Sequence, residues 1–458
     1  MHSIFPRGAS TPLIRDACRQ GPRGLGPLAA VALLLCSAGL ATAQTSPSLL
    51  TLDAALDAAQ ARSETLAAQE AAARAARDRA VSAGSLPDPV LRLSLNNLPI
   101  EGPMRYRLTG ERMTMRSVEI MQTFTGAEKR QARSARYEQE AEAASSMRSM
   151  QRARLFAQTA RAWFDRYFQE QMLALLLRQR EEASRVSEAV ASAYRGGRNT
   201  QAEVLAAHAA IARIDDRLHE VRAESSNAKA LLQRWVGDAA AQALGTPPRI
   251  DRSRLAEHPL NREIDQHPDI AVMNARERVA LAEADVARQE KSADWSWSLM
   301  YSKRGSQFGD MVSLGASIPL QWDQARKQDR ELAARLERVE QLRSEREEMR
   351  RDRLFEVQRL LANWRSNLIR LEDYDMTLIP LATERVQATQ AAFRGGKAPL
   401  AAVLDAQRMV IDTQLERLRI QKQTATWWAE LEFLMPLDPG APARPSSSPN
   451  PPAQEQQP

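Results

Sequence analysis

The chain has 458 residues, of which 43% are hydrophobic and 26% charged, a globular balance and not that of a disordered or low-complexity chain. A mean hydropathy of −0.46, and the lack beyond the N-terminus of any apolar stretch of the ~18 residues that a spanning helix needs, exclude a polytopic helical membrane protein. The formal charge of +6 points only weakly to nucleic acid, because Arg interleaves with Glu and Asp as in Glu340 to Arg353, the pattern of solvated helix faces, and no nucleic-acid partner is expected.

Taken in order, the chain opens with Arg7, Arg15, Arg19 and Arg23, then an apolar run from Leu28 to Leu40, then Ala41-Thr42-Ala43. That order predicts a secretory signal over residues 1–43, cleaved before Gln44. Its removal takes away four arginines and Asp16, which lowers the charge from +6 by three to +3. Cys18 and Cys36, the only cysteines, leave with it. Lipidation at Cys36 is the alternative, disfavoured because the large Leu35 precedes it where a lipoprotein signal has a small residue.

From Thr51 to about Ala83 an alanine-rich pattern with Leu52, Leu56, Leu66 and Val81 predicts a helix that Pro87 and Pro89 stop. Val90 to Leu98 alternates Leu91, Leu93 and Leu95 with Arg92, Ser94 and Asn96, which predicts a strand with one apolar face. A loop from Pro99 to Arg112 leads to a second strand, Met113 to Phe124, whose apolar phase shifts from Met113 and Met115 to Val118 and Ile120, as a bulge would produce. Ala127 to Arg195 is 69 residues without glycine or proline, roughly 100 Å if it is one helix. It runs into Gly196-Gly197 and out again through a helix from about Thr200 to Trp235.

After Gly237 a segment with Pro247, Pro248, Pro259 and Pro268 intervenes, and the order then repeats. Asp269 to Lys291 reads as helix, Asp294 to Ser302 as a strand with Trp295, Trp297, Leu299 and Tyr301 on one face, and Val312 to Leu320 as a fourth strand. A long helix from Ala325 is expected to break or bend at Pro380 before reaching Gly395-Gly396, and a last helix covers about Leu400 to Leu434. Arg154-Leu155-Phe156 recurs as Arg353-Leu354-Phe355, Gly196-Gly197 as Gly395-Gly396, and Val204-Leu205 as Val403-Leu404, each at an offset of 199. The division is therefore signal 1–43, first repeat 44–237, linker 238–268, second repeat 269–435, and a disordered Pro/Ser-rich tail 436–458.

Four amphipathic strands cannot close a barrel, because the smallest usual outer-membrane barrel has about eight, and a bilayer does not tolerate the two open edges. If the strands span a membrane, several chains must pool them, and three copies give twelve. On these features the chain resembles the TolC family of outer-membrane factors. The duplicated order of elements carries the resemblance, with the Gly-Gly turns followed by Val204-Leu205 and Val403-Leu404-Asp405-Ala406, and with Gly126 and the basic pair Lys129-Arg130 opening the long helix. The resemblance implies a mainly α fold with a small β part, in which a homotrimer forms a 12-stranded β-barrel in outer-membrane lipid, continued by a periplasmic α-helical barrel. It implies as partners a periplasmic adaptor (membrane fusion protein) and an inner-membrane transporter of RND type.

Residue by residue, the resemblance assigns Tyr194, Arg195, Gly196, Gly197 and Leu205, with Phe393, Arg394, Gly395, Gly396 and Leu404, to the tips that meet the adaptor. Asp405 fits one position of an acidic gate. The other position holds Ala402, so Glu203 in the first hairpin is the second gate candidate. Trp295, Trp297 and Tyr301 would be aromatic anchors at the membrane interface, against the plainer reading of a soluble hairpin's core. Met104, Met113, Met115 and Met121 read as flexible apolar filler facing lipid or a neighbouring subunit, although thioethers also bind Cu(I) or Ag(I). Asn97-Leu98-Pro99 with Met113-Thr114-Met115-Arg116 is similar to the heavy-metal efflux branch, which favours metal cations over drugs or secreted proteins as the cargo.

No catalytic constellation, phosphate loop or histidine pair at ligand spacing is present in the sequence, so neither an enzyme nor a cofactor is expected. A soluble periplasmic coiled-coil scaffold is the competing reading. It accounts for the helices and leaves the four strands unexplained.

Overall fold

In the computed structural model, residues 49–256 and 264–435 are described, and both the expected signal peptide and the expected tail lie outside the described residues. The chain opens with α1 (Leu52–Ala61) and α2 (Glu64–Gly84), where the sequence pattern predicted one helix. The interruption is local. Ser63 takes an extended conformation and its hydroxyl accepts from the Leu66 N–H at 3.4 Å, so a new helix starts there.

Strands β1 (Val90–Asn96), β2 (Met115–Phe124), β3 (Trp295–Lys303) and β4 (Met311–Ser317) form one antiparallel sheet in the order β1-β2-β3-β4. Pairing from Val90↔Met121 to Asn96↔Met115, and from Arg116↔Lys303 to Phe124↔Trp295, skips no residue. The bulge expected in β2 is therefore absent; its apolar residues change face while the ladder stays regular.

Helix α3 (Ala127–Arg195) is unbroken over 69 residues, as predicted, and α4 (Gln201–Val236) returns beside it. In the second repeat α5 (Pro268–Gln289) precedes β3, and α6 (Gln328–Asp373) follows β4. The break or bend expected at Pro380 is a π-helical turn at Tyr374–Leu378 that joins α6 to α7 (Ile379–Arg394), and α8 (Leu400–Glu432) completes the hairpin. Proline offers no N–H and crowds the carbonyl four residues back. The wider turn accommodates it, with Ile379 N–H donating to the Tyr374 carbonyl five residues earlier.

The core sits at mid-length of the long helices. Trp163 and Phe164 of α3 are completely buried, and Phe164 meets Trp428 of α8 edge-on with ring centroids 5.8 Å apart. Three buried indoles each donate to a carbonyl of an irregular segment: Trp163 to Leu50 (3.0 Å), Trp364 to Ile250 (2.9 Å) and Trp428 to Arg252 (2.7 Å). These three bonds satisfy one carbonyl each of the straps that run across the helices.

The duplicated arginines meet at one acid. Arg154 and Arg353 approach opposite oxygens of buried Asp269, at 3.0 and 3.1 Å. Beside them, burial lowers the pKa of His267 to about 4, the Asp269 charge opposing this and the Arg353 charge adding to it. Its Nδ1 accepts from the Asp269 N–H at 3.1 Å and caps α5. A folded-state value of about 4 against 6.5 when unfolded means that the unfolded chain takes up protons first on acidification. This contribution is present above pH 6.5 and is lost as pH falls towards 4. Denaturation of the protein in detergent should show stability falling across that window, by roughly 3 kcal/mol at most from this group. Burial raises Glu430 nearby, which acts in the opposite sense. The comparison is therefore with His267→Asn, which keeps a capping acceptor and should flatten the histidine's share of the slope.

Candidate functional site

Two regions at opposite ends of the long helices concentrate the exposed, patterned residues. The first is the sheet. Its register places Leu91, Ile120, Leu299 and Leu314 in one row, with Leu93, Val118, Tyr301 and Val312 in the next on the same face, and all eight are exposed. Trp297 lies on this face opposite Gln122 and Ala316, and Trp295 stacks on Phe124 with centroids 4.6 Å apart. The predicted aromatics therefore share the apolar face: Trp295 and Trp297 near the helix junction, Tyr301 nearer the loops, its hydroxyl bonded to Asp310.

The opposite face is polar. Arg92 pairs with Glu119 at 3.3 Å, and Ser117 hydrogen-bonds Ser302 at 2.8 Å. Met115 and Met121 lie on this polar face and so do not face lipid with the leucines and valines. Met300 pairs with Glu119 and Met311 with Ser302, so Met121, Met300 and Met311 run diagonally across β2, β3 and β4. Diagonal neighbours of this kind lie about 7–8 Å apart.

The basic pair at the start of α3 locks the sheet to the helices. Lys129 is buried, and its ammonium donates to the Ser292 carbonyl at 2.7 Å and meets Asp294 at 2.9 Å, across the repeat boundary. Arg130 donates to the carbonyls of Gly84 (3.0 Å) and Thr125 (3.2 Å).

The second region is the pair of turns. In the first, Gly196, Gly197 and Arg198 donate to Ser192, Tyr194 and Ala193; in the second, Gly395, Gly396 and Lys397 donate to Ala391, Phe393 and Ala392. The two schemes are identical at the offset of 199. Only the second glycine of each pair needs glycine's freedom, with φ of 70° at Gly197 and 68° at Gly396. Tyr194, Arg195, Gly196, Gly197, Arg394, Gly395 and Gly396 are exposed, whereas Phe393 is half-buried. Leu205 is exposed and its counterpart Leu404 is partly covered.

The two gate candidates differ. Glu203 is tied into a capping box: its carboxylate accepts from the Thr200 N–H at 2.8 Å, and its own N–H donates to the Thr200 hydroxyl at 3.3 Å. The Thr-x-x-Glu signature is legible in the sequence and was missed in favour of a gate role. Asp405 is exposed and makes no ion pair among the described residues. It lines a groove of about 540 Å³ between the hairpins, with Arg213, Arg217, Leu404 and Arg408. The hairpins are bridged further along by Arg217 to Asp412. Arg180, hydrogen-bonded to Asp215, holds that carboxyl below its ordinary range and ties α3 to α4.

Among the described residues no group of three or more His, Cys, Asp or Glu side chains could hold a metal ion, and no helix is long and apolar enough to cross a membrane.

The sequence model of the outer membrane efflux protein family matches residues 260–435. No curated protein matches the chain in sequence. Solved structures match it in fold. The outer membrane protein VceC of Vibrio cholerae aligns with a TM-score of 0.68 at 16% identity over 84% of this chain and 95% of that one. The outer membrane channel CmeC of Campylobacter jejuni gives 0.69 at 12% over 84% and 85%. The outer membrane channel MtrE of Neisseria gonorrhoeae gives 0.67 at 15% over 84% and 88%.

The capping box yields a direct expectation. Thr200→Ala should destabilise the first turn of α4 by about 1 kcal/mol. Amide exchange at Glu203 and Val204 should speed up accordingly, while the turn at Gly395-Gly396, where Pro399 stands at the cap position without a side-chain bond, stays unchanged.

Proposed function

We propose, for a chain whose residues 260–435 match the outer membrane efflux protein family and whose described residues take the fold of outer-membrane channels, that three copies form the passive exit duct of a tripartite efflux pump. The observation that carries this reading is the four-stranded sheet with an exposed apolar face and two unpaired edges, set at the end of a helix of roughly 100 Å. Three such sheets, edge to edge, make a barrel of twelve strands with Leu, Val and aromatics against lipid and Ser, Glu and Met towards the lumen. The helices then extend into the periplasm, and the Gly-Gly tips meet a periplasmic adaptor and, through it, an inner-membrane transporter of RND type. Energy comes from that transporter.

Asp405, exposed and without an ion pair among the described residues, is the gate carboxylate on this reading. Three copies around one axis repel each other and attract cations within a Debye length. Glu203 acts first as a helix cap and contributes to the gate only secondarily. Heavy-metal cations are the cargo we favour, because the diagonal of Met121, Met300 and Met311 lines the polar face with soft thioethers.

The assembly is tested by extraction. The protein should require detergent and run as a heat-modifiable trimer, and a periplasmic protein soluble without detergent would sink the duct. In planar bilayers Asp405→Ala should change single-channel conductance or cation block, and unchanged values would remove the gate assignment. For the cargo, a deletion strain should become sensitive to copper or silver salts. Complementation with Met121→Leu, Met300→Leu and Met311→Leu combined should restore less resistance than the wild type. Sensitivity to drugs alone, or a secretion defect alone, would assign the duct to another pump.

A further inference from the structure

The apolar face of the sheet ends in an arrangement that lipid tails do not explain. Arg116 of β2 and Lys303 of β3 are direct cross-strand partners on that face, one row beyond Val118 and Tyr301. Two like charges placed directly opposite each other destabilise a strand pair unless something of opposite sign lies between them. Among the described residues neither side chain makes an ion pair or a side-chain hydrogen bond, and both are exposed. The nearby acids are engaged elsewhere: Glu119 is on the other face with Arg92, and Asp310 accepts from the Tyr301 hydroxyl.

The surface beneath them is shaped. Leu93, Leu95, Arg116, Val118, Tyr301 and Lys303 border one shallow, open depression of about 520 Å³, which suits a surface-bound amphiphile and not an enclosed ligand. Its cationic end lies towards the loops at 97–114 and 304–310, and its apolar end runs down towards the helices. A ligand that satisfies both ends is an amphiphile with a phosphate head.

We infer that this depression binds a phosphorylated lipid of the outer leaflet, one per protomer. The phosphate lies between Arg116 and Lys303, and an acyl chain covers Leu93 and Val118. The guanidinium offers a planar fork to two phosphate oxygens, while the lysine supplies a compact charge from the neighbouring strand. The inference rests on the duct reading, which puts this face against lipid and the loop end outside. The charge pair selects a phosphate-bearing headgroup over a neutral one, and the leucines and valine select a lipid over free phosphate.

The test uses the full-length protein purified in detergent, with native mass spectrometry as the readout. The probes are bisphosphorylated lipid A, the same lipid after enzymatic dephosphorylation, and inorganic phosphate as competitor. The wild-type trimer should retain the phosphorylated lipid, and retain the dephosphorylated form roughly tenfold to thirtyfold less well. Millimolar inorganic phosphate should not displace the lipid. Arg116→Gln with Lys303→Gln should remove the preference while the trimer stays heat-modifiable, and Arg116→Lys should keep part of it, which guards against loss through misfolding. Equal retention of the two lipids by the wild type, or an undiminished preference in the double variant, would overturn the site. Displacement by inorganic phosphate would make it a free-anion site and overturn the lipid. Recovery of the wild type as a monomer that needs no detergent would instead sink the duct reading, a result visible before any lipid is added.

Discussion

The constraint on which the structure turns is an incomplete sheet. Among the described residues, strands β1 and β4 each present an edge without a partner, and one whole face carries leucines, valines and aromatics that are exposed or half-buried. In water such a surface recruits other chains, and in a bilayer an open edge leaves backbone groups with no partner at all. Pairing β4 of one copy with β1 of the next removes both problems at once. The junction residues hold the sheet firmly to the helices. Buried Lys129 ties the start of α3 to Ser292 and Asp294 of the second repeat, and Arg130 ties it to Gly84 of the first. Both repeats therefore deliver their strands in one fixed relation.

The duplication works differently in the middle of the molecule. Arg154 and Arg353 descend from the same position in the two repeats, yet both converge on Asp269, which has one location. A buried carboxylate between two cations is costly to leave unpaired, so the pair of arginines specifies how the halves pack more than it adds net stability. The three indole-to-carbonyl bonds of Trp163, Trp364 and Trp428 serve the same end by fixing the irregular straps against the helices.

Much of this was legible in the residues. The period-two strands, the 69-residue helix free of glycine and proline, and the repeated turns follow from local physics, and each element stands within a few residues of its expected place. What failed had specific causes. The change of phase between Met115 and Val118 predicts a bulge if every apolar residue shares one face. Met115 faces the polar side, and the ladder is continuous. The break or bend expected at Pro380 takes the form of a five-residue π-turn just before it, a form that depends on the chain having room to widen. Ser63 and the Thr200–Glu203 pair were readable caps that went unused. The Asp269 cluster and the three indole clamps are out of reach of local patterns, since each joins residues far apart in the chain.

The two hairpins share a turn but not a stiffness. In the first, the capping box fixes the start of α4, and Arg180 binds Asp215 across the pair. In the second, Pro399 supplies no side-chain cap, α7 buries only Ala382, and a π-turn sits at its base. Few buried apolar contacts and an interrupted hydrogen-bond ladder mark the low-stability end of a structure, where motion is cheapest. Arg417 counters this by gripping Asp375 of the π-turn from α8. The hairpin that carries Asp405 lacks the side-chain cap and the unbroken helix of the first; Arg417 with Asp375 restrains its base, and Lys422 with Asp165 and Arg217 with Asp412 tie it to the first repeat. Duplicated turns of identical hydrogen bonding are thus set between flanks that differ in capping and in helix continuity.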